Sequence, residues 1–188
     1  KNISNVYYEV WNEPDLFGKW TMGGAKDYKK LYLYASRGAQ AALVSQAFKF
    51  GGPATTGLYR NWLDSFFPFI LENRLRLDFF SWHRYDIDLN KYSEDVAFVN
   101  LWIESHPYFA NVEKIISEMG PNSEKAGEND TRVGAAHLLA VTRELLSQIK
   151  YVFTFSVTGQ WGVIGKPRYE ALRLLSDLGD QRLAVSGD

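Results

Sequence analysis

Cysteine is absent from the 188 residues, and with it go disulfides, thiolate metal sites and cysteine nucleophiles. Histidine is scarce: His83, His106 and His137 stand far apart, without the i, i+4 or carboxylate-adjacent spacing of a zinc site. No metal and no other cofactor is expected. Neither sign of charge dominates, since the net charge is −1. The chain therefore lacks the basic footprint that nucleic acid or an anionic membrane surface demands, and a neutral ligand is expected. No uninterrupted apolar run is long enough to cross a bilayer. Lys1-Asn2-Ile3-Ser4-Asn5 leads into no apolar core of the kind an export signal carries. The chain begins almost directly on a strand and without methionine, as a piece of a longer polypeptide would.

What is present is a hydrophobic content of 46% with 15% aromatics, enough to bury the core of one domain or of a large part of one. Apolar periodicity switches repeatedly between a strand-like and a helix-like repeat. Strand-like runs lie at Val6 to Asn12, Phe48 to Gly52, Asp78 to His83, Lys114 to Glu118 and Tyr151 to Val157. Between them, Tyr28, Leu31, Tyr32, Ala35, Ala39 and Ala42 trace one helical stripe, and Val133, Ala136, Leu139, Ala140 and Leu146 another, with Asp130 or Thr131 as its N-cap. Leu58 to Asn73 is helical in pattern, but Pro68 predicts a start, kink or break there. Tyr92 to Phe109 and Pro167 to Leu178 supply two more helices, the second opened by Pro167 at its first position. Five strand-helix units in one domain imply an α/β fold with a parallel sheet, either open and doubly wound or part of an eight-stranded barrel. Five units do not close that barrel. Two unpaired sheet edges then predict either self-association, as a homo-oligomer, or missing strands on the N-terminal side.

Two strands end on a carboxylate. Period-2 alternation through Tyr8-Glu9-Val10-Trp11-Asn12-Glu13-Pro14 puts Tyr7, Glu9, Trp11 and Glu13 on one face, with Glu13 at the C-terminal rim and Pro14 holding it extended. Glu118 ends Lys114-Ile115-Ile116-Ser117-Glu118 in the same way, on the face of Ile116, before Met119-Gly120-Pro121. Two carboxylates facing one cleft are the minimal equipment for cleaving a glycosidic bond. The bland alternative for each is a solvated glutamate leading a loop. In Ser81-Trp82-His83-Arg84-Tyr85, His83 and Tyr85 share a rim face, where a histidine could orient a carboxylate and a tyrosine hydroxyl could keep a nucleophile ionised. A satisfied core histidine is the competing reading. Gly159-Gln160-Trp161-Gly162 presents an indole suited to stacking on a sugar or, equally, to capping the barrel. Gly51-Gly52-Pro53 predicts close approach of loop and ligand, and Glu9 a structural buried charge in need of a partner. Asn2-Ile3-Ser4 and Asn129-Asp130-Thr131 match the glycosylation pattern.

Taken in order, Tyr8-Glu9-Val10-Trp11-Asn12-Glu13-Pro14-Asp15, Gly51-Gly52-Pro53-Ala54, Asp78-Phe79-Phe80-Ser81-Trp82-His83 and Ser117-Glu118 resemble the motifs of clan A glycoside hydrolases, and of family 39 in particular, which contains β-xylosidases and α-L-iduronidases. The resemblance covers the whole chain, as strands 4 to 8 of a partial (β/α)8 TIM barrel. It implies a retaining double displacement on a carbohydrate substrate, with Glu13 as acid/base, Glu118 as nucleophile and Asn12 contacting the sugar 2-hydroxyl. His83, Tyr85 and Trp161 would be rim residues of the substrate site. The carboxyl groups should then lie about 5–5.5 Å apart, and the nucleophile's charge should raise the pKa of Glu13. A non-catalytic carbohydrate-binding or interaction module built on the same barrel is the rival expectation.

Overall fold

The computed structural model describes residues 5–42 and 47–179. Five strands alternate with five helices: β1 Val6–Glu9, α1 Tyr28–Ala41, β2 Phe48–Thr55, α2 Arg60–Glu72, β3 Phe79–Tyr85, α3 Asn90–Glu104, β4 Glu113–Gly120, α4 Arg132–Leu145, β5 Tyr151–Thr154 and α5 Pro167–Ser176. All neighbouring strands pair in parallel, in the order β1-β2-β3-β4-β5. The result is a five-stranded partial (β/α)8 barrel, with β1 and β5 as its edges. Short β-branched and aromatic runs joined by helical crossovers admit this parallel arrangement. No described helix is long and apolar enough to cross a membrane.

The main core lies between sheet and helices. Phe80 and Trp82 from β3 and Ile116 and Met119 from β4 meet Phe66 and Phe67 of α2, Val96 and Val99 of α3, and Leu138 and Val141 of α4. Tyr28 and Tyr32, fully buried on α1, send their hydroxyls to Val10 O (2.7 Å) and Arg76 O (2.7 Å). Behind the rim, Arg84 of β3 forks onto Asp95 of α3 (2.7 and 2.6 Å), while Tyr92 shares its single proton between Arg84 O (2.9 Å) and Gly120 O (3.0 Å). These contacts lock the C-terminal ends of β3 and β4 to one helix. The concave inner face carries Tyr7, Glu9, Phe79, Ile115, Ser117 and Tyr151 around a cavity of about 450 Å³.

Several expectations are corrected here. Pro68 neither starts nor breaks α2, which runs from Arg60 to Glu72; the backbone acceptor it orphans is that of Asp64, an exposed residue that water can serve. The helix from Tyr92 stops at Glu104, and Pro107 opens a separate 3-10 turn to Phe109. Thr131, not Asp130, caps α4 by accepting from Val133 N (3.2 Å). Gly51 and Gly52 have a packing reason within the chain: a Cβ at Gly51 would stand 2.1 Å from Phe79 O, and one at Gly52, whose φ is +152°, 2.9 Å from the Tyr28 hydroxyl. Asn129 is buried, and its amide is spent on Asn122 and Glu124; Asn2 lies outside the described residues.

Candidate active site

β1 stops at Glu9, three residues earlier than its pattern suggests. Beyond it Trp11 adopts φ +73° and Glu13 φ +45°, so simple alternation ends. Trp11 leaves the inner face: its Nε1 donates to Phe17 O (2.6 Å) and its ring meets Trp20 edge-on. Glu13 reaches the rim by this left-handed turn and not by an extended backbone, although Pro14 disfavours any helical conformation before it. Backbone bonds hold the turn. Glu13 N donates to Ala54 O (2.9 Å), and Glu13 O accepts from Leu16 N (2.9 Å) and Phe17 N (2.7 Å).

On β4 a second irregularity does similar work. The pairing jumps from Trp82↔Ile116 to His83↔Glu118, leaving Ser117 as an extra residue. Ile116 therefore packs outward into the helical core while Ser117 lines the inner cavity and Glu118 opens onto the cleft. The expectation that Ile116 and Glu118 share a face is overturned by this bulge, which re-aims the following side chain. On β3 alternation holds, and Ser81, His83 and Tyr85 do face inward.

The two glutamates converge on His83. Nδ1 of this wholly buried ring lies 2.8 Å from Glu13 Oε1 and 3.5 Å from Glu118 Oε2. One ligand-type atom from each of the three residues falls within 4.8 Å of the others. Such a trio could hold a divalent cation. The arrangement serves proton sharing better, because Tyr85 places a hydroxyl donor 2.8 Å from Glu118 Oε2, a contact that a cation does not need. Glu13 and Glu118 remain 13% and 16% exposed, enough to meet a ligand while keeping a low local dielectric.

Burial raises the pKa of Glu13, and the neighbouring Asp15 carboxylate raises it further. The direction is the one expected, but the cause is desolvation and Asp15 rather than the second glutamate. Burial lowers the pKa of His83 against the pull of Glu118 and Asp15, which keeps the ring neutral. Its Nε2 has no hydrogen-bond partner among the described residues. Beneath them, burial raises the pKa of Glu9 and Glu118 adds to the rise; the Ser81 and Ser117 hydroxyls act the other way, though neither completes a hydrogen bond to it. Among the described residues Glu9 has no cationic partner.

A cleft of about 820 Å³ opens above these groups, lined by Asn12, Glu13, Tyr85, Glu118 and Trp161 among the expected residues. His83 lies under it instead of on its wall. Sequence reasoning missed Asp15, Leu16, Phe17, Thr56, Ser123 and Phe155, which line the same cleft. Asp15 could have been flagged by its place directly after Glu13-Pro14. It is fixed by Thr56 N (3.1 Å) and the Thr56 hydroxyl, which also meets Tyr59 OH (2.7 Å). The others gave no signal, since nothing local ties an exposed Leu or Phe to a pocket.

Comparison with known proteins follows the same lines. The profile of the glycosyl hydrolases family 39 matches residues 1–136. A "Beta-xylosidase" of Geobacillus stearothermophilus is 37% identical over 85 residues, 45% of this chain and 16% of that protein. One of Caldicellulosiruptor saccharolyticus is 36% identical over 87 residues, 46% of this chain and 17% of its own length. The aligned stretch thus spans less than a fifth of each relative. The crystal structure of the GH39 enzyme from Xanthomonas axonopodis pv. citri superposes with a TM-score of 0.76 at 23% identity, over 90% of this chain and 40% of that one. The fold is the same. Parallel β/α units, strand-end carboxylates and a profile match over most of the chain converge on one assignment: this chain belongs to family 39 of the glycosyl hydrolases, as a C-terminal part of the catalytic domain.

Proposed function

We propose that this chain supplies strands 4 to 8 of a retaining glycosidase barrel, with Glu13 as general acid/base and Glu118 as nucleophile. The observation that carries the reading is that one oxygen of each carboxylate lies within 4.8 Å of the other, which fits the ~5–5.5 Å group separation of retaining enzymes better than the ~6.5–9.5 Å that inverting enzymes need for a water. The names of two relatives point to β-xylosides as the substrate class.

In the first step Glu118 attacks the anomeric carbon, a C–O ester bond forms, and the glycosidic C–O bond breaks. Glu13, whose pKa burial and Asp15 raise, gives its proton to the departing oxygen. The His83 ring pairs through Nδ1 with Oε1 of Glu13 (2.8 Å) and so orients this carboxyl at the cleft. Tyr85 steadies the attacking carboxylate through its 2.8 Å bond to Oε2 of Glu118. In the second step Glu13, now ionised, takes a proton from water, whose oxygen displaces Glu118 from the sugar. Asn12 faces the cleft in position to meet a sugar hydroxyl, and Trp161 to stack on the ring.

The test is covalent trapping. A 2-deoxy-2-fluoro-β-xyloside with a good leaving group, incubated with the polypeptide that carries this domain, should label Glu118 in peptide mass spectrometry. Label on another residue, or none with any fluorosugar, overturns the reading. Glu13→Gln should slow hydrolysis by about 10²–10⁴-fold for alkyl leaving groups and far less for activated aryl ones; equal slowing for both would reject the acid role.

A further inference from the structure

Arg168, at the start of α5, is 3% exposed and stands beyond the residues matched by the family profile. A charge buried this deeply needs a network, and it has one. Nη1 donates to Thr154 Oγ1 (2.9 Å) and Phe155 O (3.1 Å), and Nη2 to Trp161 O (2.8 Å). Asp130 Oδ1 lies 3.8 Å from Nη2 and 2.8 Å from Lys166 Nζ, so one carboxylate balances two cations.

The three acceptors bracket a single segment. Thr154 ends β5, while Phe155 and Trp161 form part of the cleft wall. Trp161 O also accepts from Ser156 N (3.2 Å), and Lys166 Nζ donates to Gln160 O (2.6 Å). Gly162 lets the loop fold back on itself, since a Cβ there would stand 2.4 Å from the Thr158 carbonyl carbon. At the far end the Trp161 indole donates to Ser123 O (3.3 Å), on the loop that follows Glu118. Only a planar guanidinium spans acceptors spread this widely; an ammonium is a point donor.

We propose that Arg168 is a positioning residue that fixes Phe155 and Trp161 as a preformed wall for the sugar. Its loss should weaken binding and leave the chemical step intact. The inference rests on the glycosidase reading of this cleft, because a wall assembled before the substrate arrives spares the ordering cost at binding. Asp130 keeps Lys166 as its partner when Arg168 is removed, so no carboxylate is stranded.

Arg168→Met and Arg168→Lys, made in the polypeptide used for trapping, separate the outcomes. With 4-nitrophenyl β-xyloside, Arg168→Met should raise KM by about tenfold, the scale of one lost charge-assisted hydrogen bond, with kcat within about twofold of the parent. Arg168→Lys should fall between the two. Amide hydrogen exchange should quicken at residues 156–162 in the Met variant and stay unchanged in α1 to α3. A parent that hydrolyses nothing counts against the glycosidase reading alone, and the exchange pattern then decides on Arg168. Should the Met variant not fold, the Lys variant carries the same test. Unchanged exchange at 156–162, or a fall in kcat at constant KM, overturns the proposal.

Discussion

Glu13 illustrates how much chemistry a single backbone angle controls. Its left-handed φ of +45° before Pro14 costs about 1–3 kcal/mol, and bonds to Ala54, Leu16 and Phe17 hold the side chain at the cleft despite it. The charged and titratable groups around that carboxyl are His83 and Tyr85 from β3, Glu118 from β4 and Asp15 from its own loop. Asp15 raises the Glu13 pKa. Replacing it by Asn removes a negative neighbour, so Glu13 loses its proton at lower pH. The alkaline limb of kcat/KM for Asp15→Asn should therefore move toward acid, as read from a pH profile with an unactivated xyloside; a limb that stays in place would dissociate Asp15 from the acid. At this scale the sequence was informative about which residues gather at the cleft. Glu13, Glu118, His83 and Tyr85 were all legible as strand-end polar groups, and alternation placed the β3 pair correctly. It misplaced Trp11 and misaligned Glu118 with Ile116, because a positive φ and a bulge leave no mark in a period-2 pattern.

Among the elements, α2 tests how far packing overrides local preference. Pro68 sits inside a helix whose buried face presents Trp62, Leu63, Phe66, Phe67 and Ile70 to the core. That apolar burial, at roughly 1.5–3 kcal/mol per large side chain, exceeds the ~3 kcal/mol proline penalty several times over. Pro68→Ala should restore the missing backbone bond and raise stability by about 1–2 kcal/mol after the added freedom of the unfolded chain is subtracted. Urea unfolding measures this; an unchanged midpoint would mean that the helix has already relaxed around the ring. The number and order of the strands and helices were readable from periodicity. Their ends were not, since strand ends depend on pairing across the sheet. β1 and β5 stop short of their apolar runs at Glu9 and Thr154, while β2 runs on to Thr55 beside β3.

At the scale of the described residues as a whole, the decisive feature is a curved sheet whose two edge strands have no further strand paired to them, with an aromatic concave face. Tyr8 and Phe153, on the edge strands, are 57% and 51% exposed. Such edges associate unless covered. The isolated chain is expected to form oligomers by light scattering, and Phe153→Lys should increase the monomer fraction; a clean monomer before substitution would refute the expectation. A further consequence follows from the register shifts between Pro53 and Thr55, Trp82 and His83, and Ile116 and Met119. They run side by side across adjacent strands and form a seam between the regularly paired scaffold and the edge that lines the cleft. Each shift lets the residues beyond it point differently from those before it, so side chains above the seam can vary without altering the strand register below.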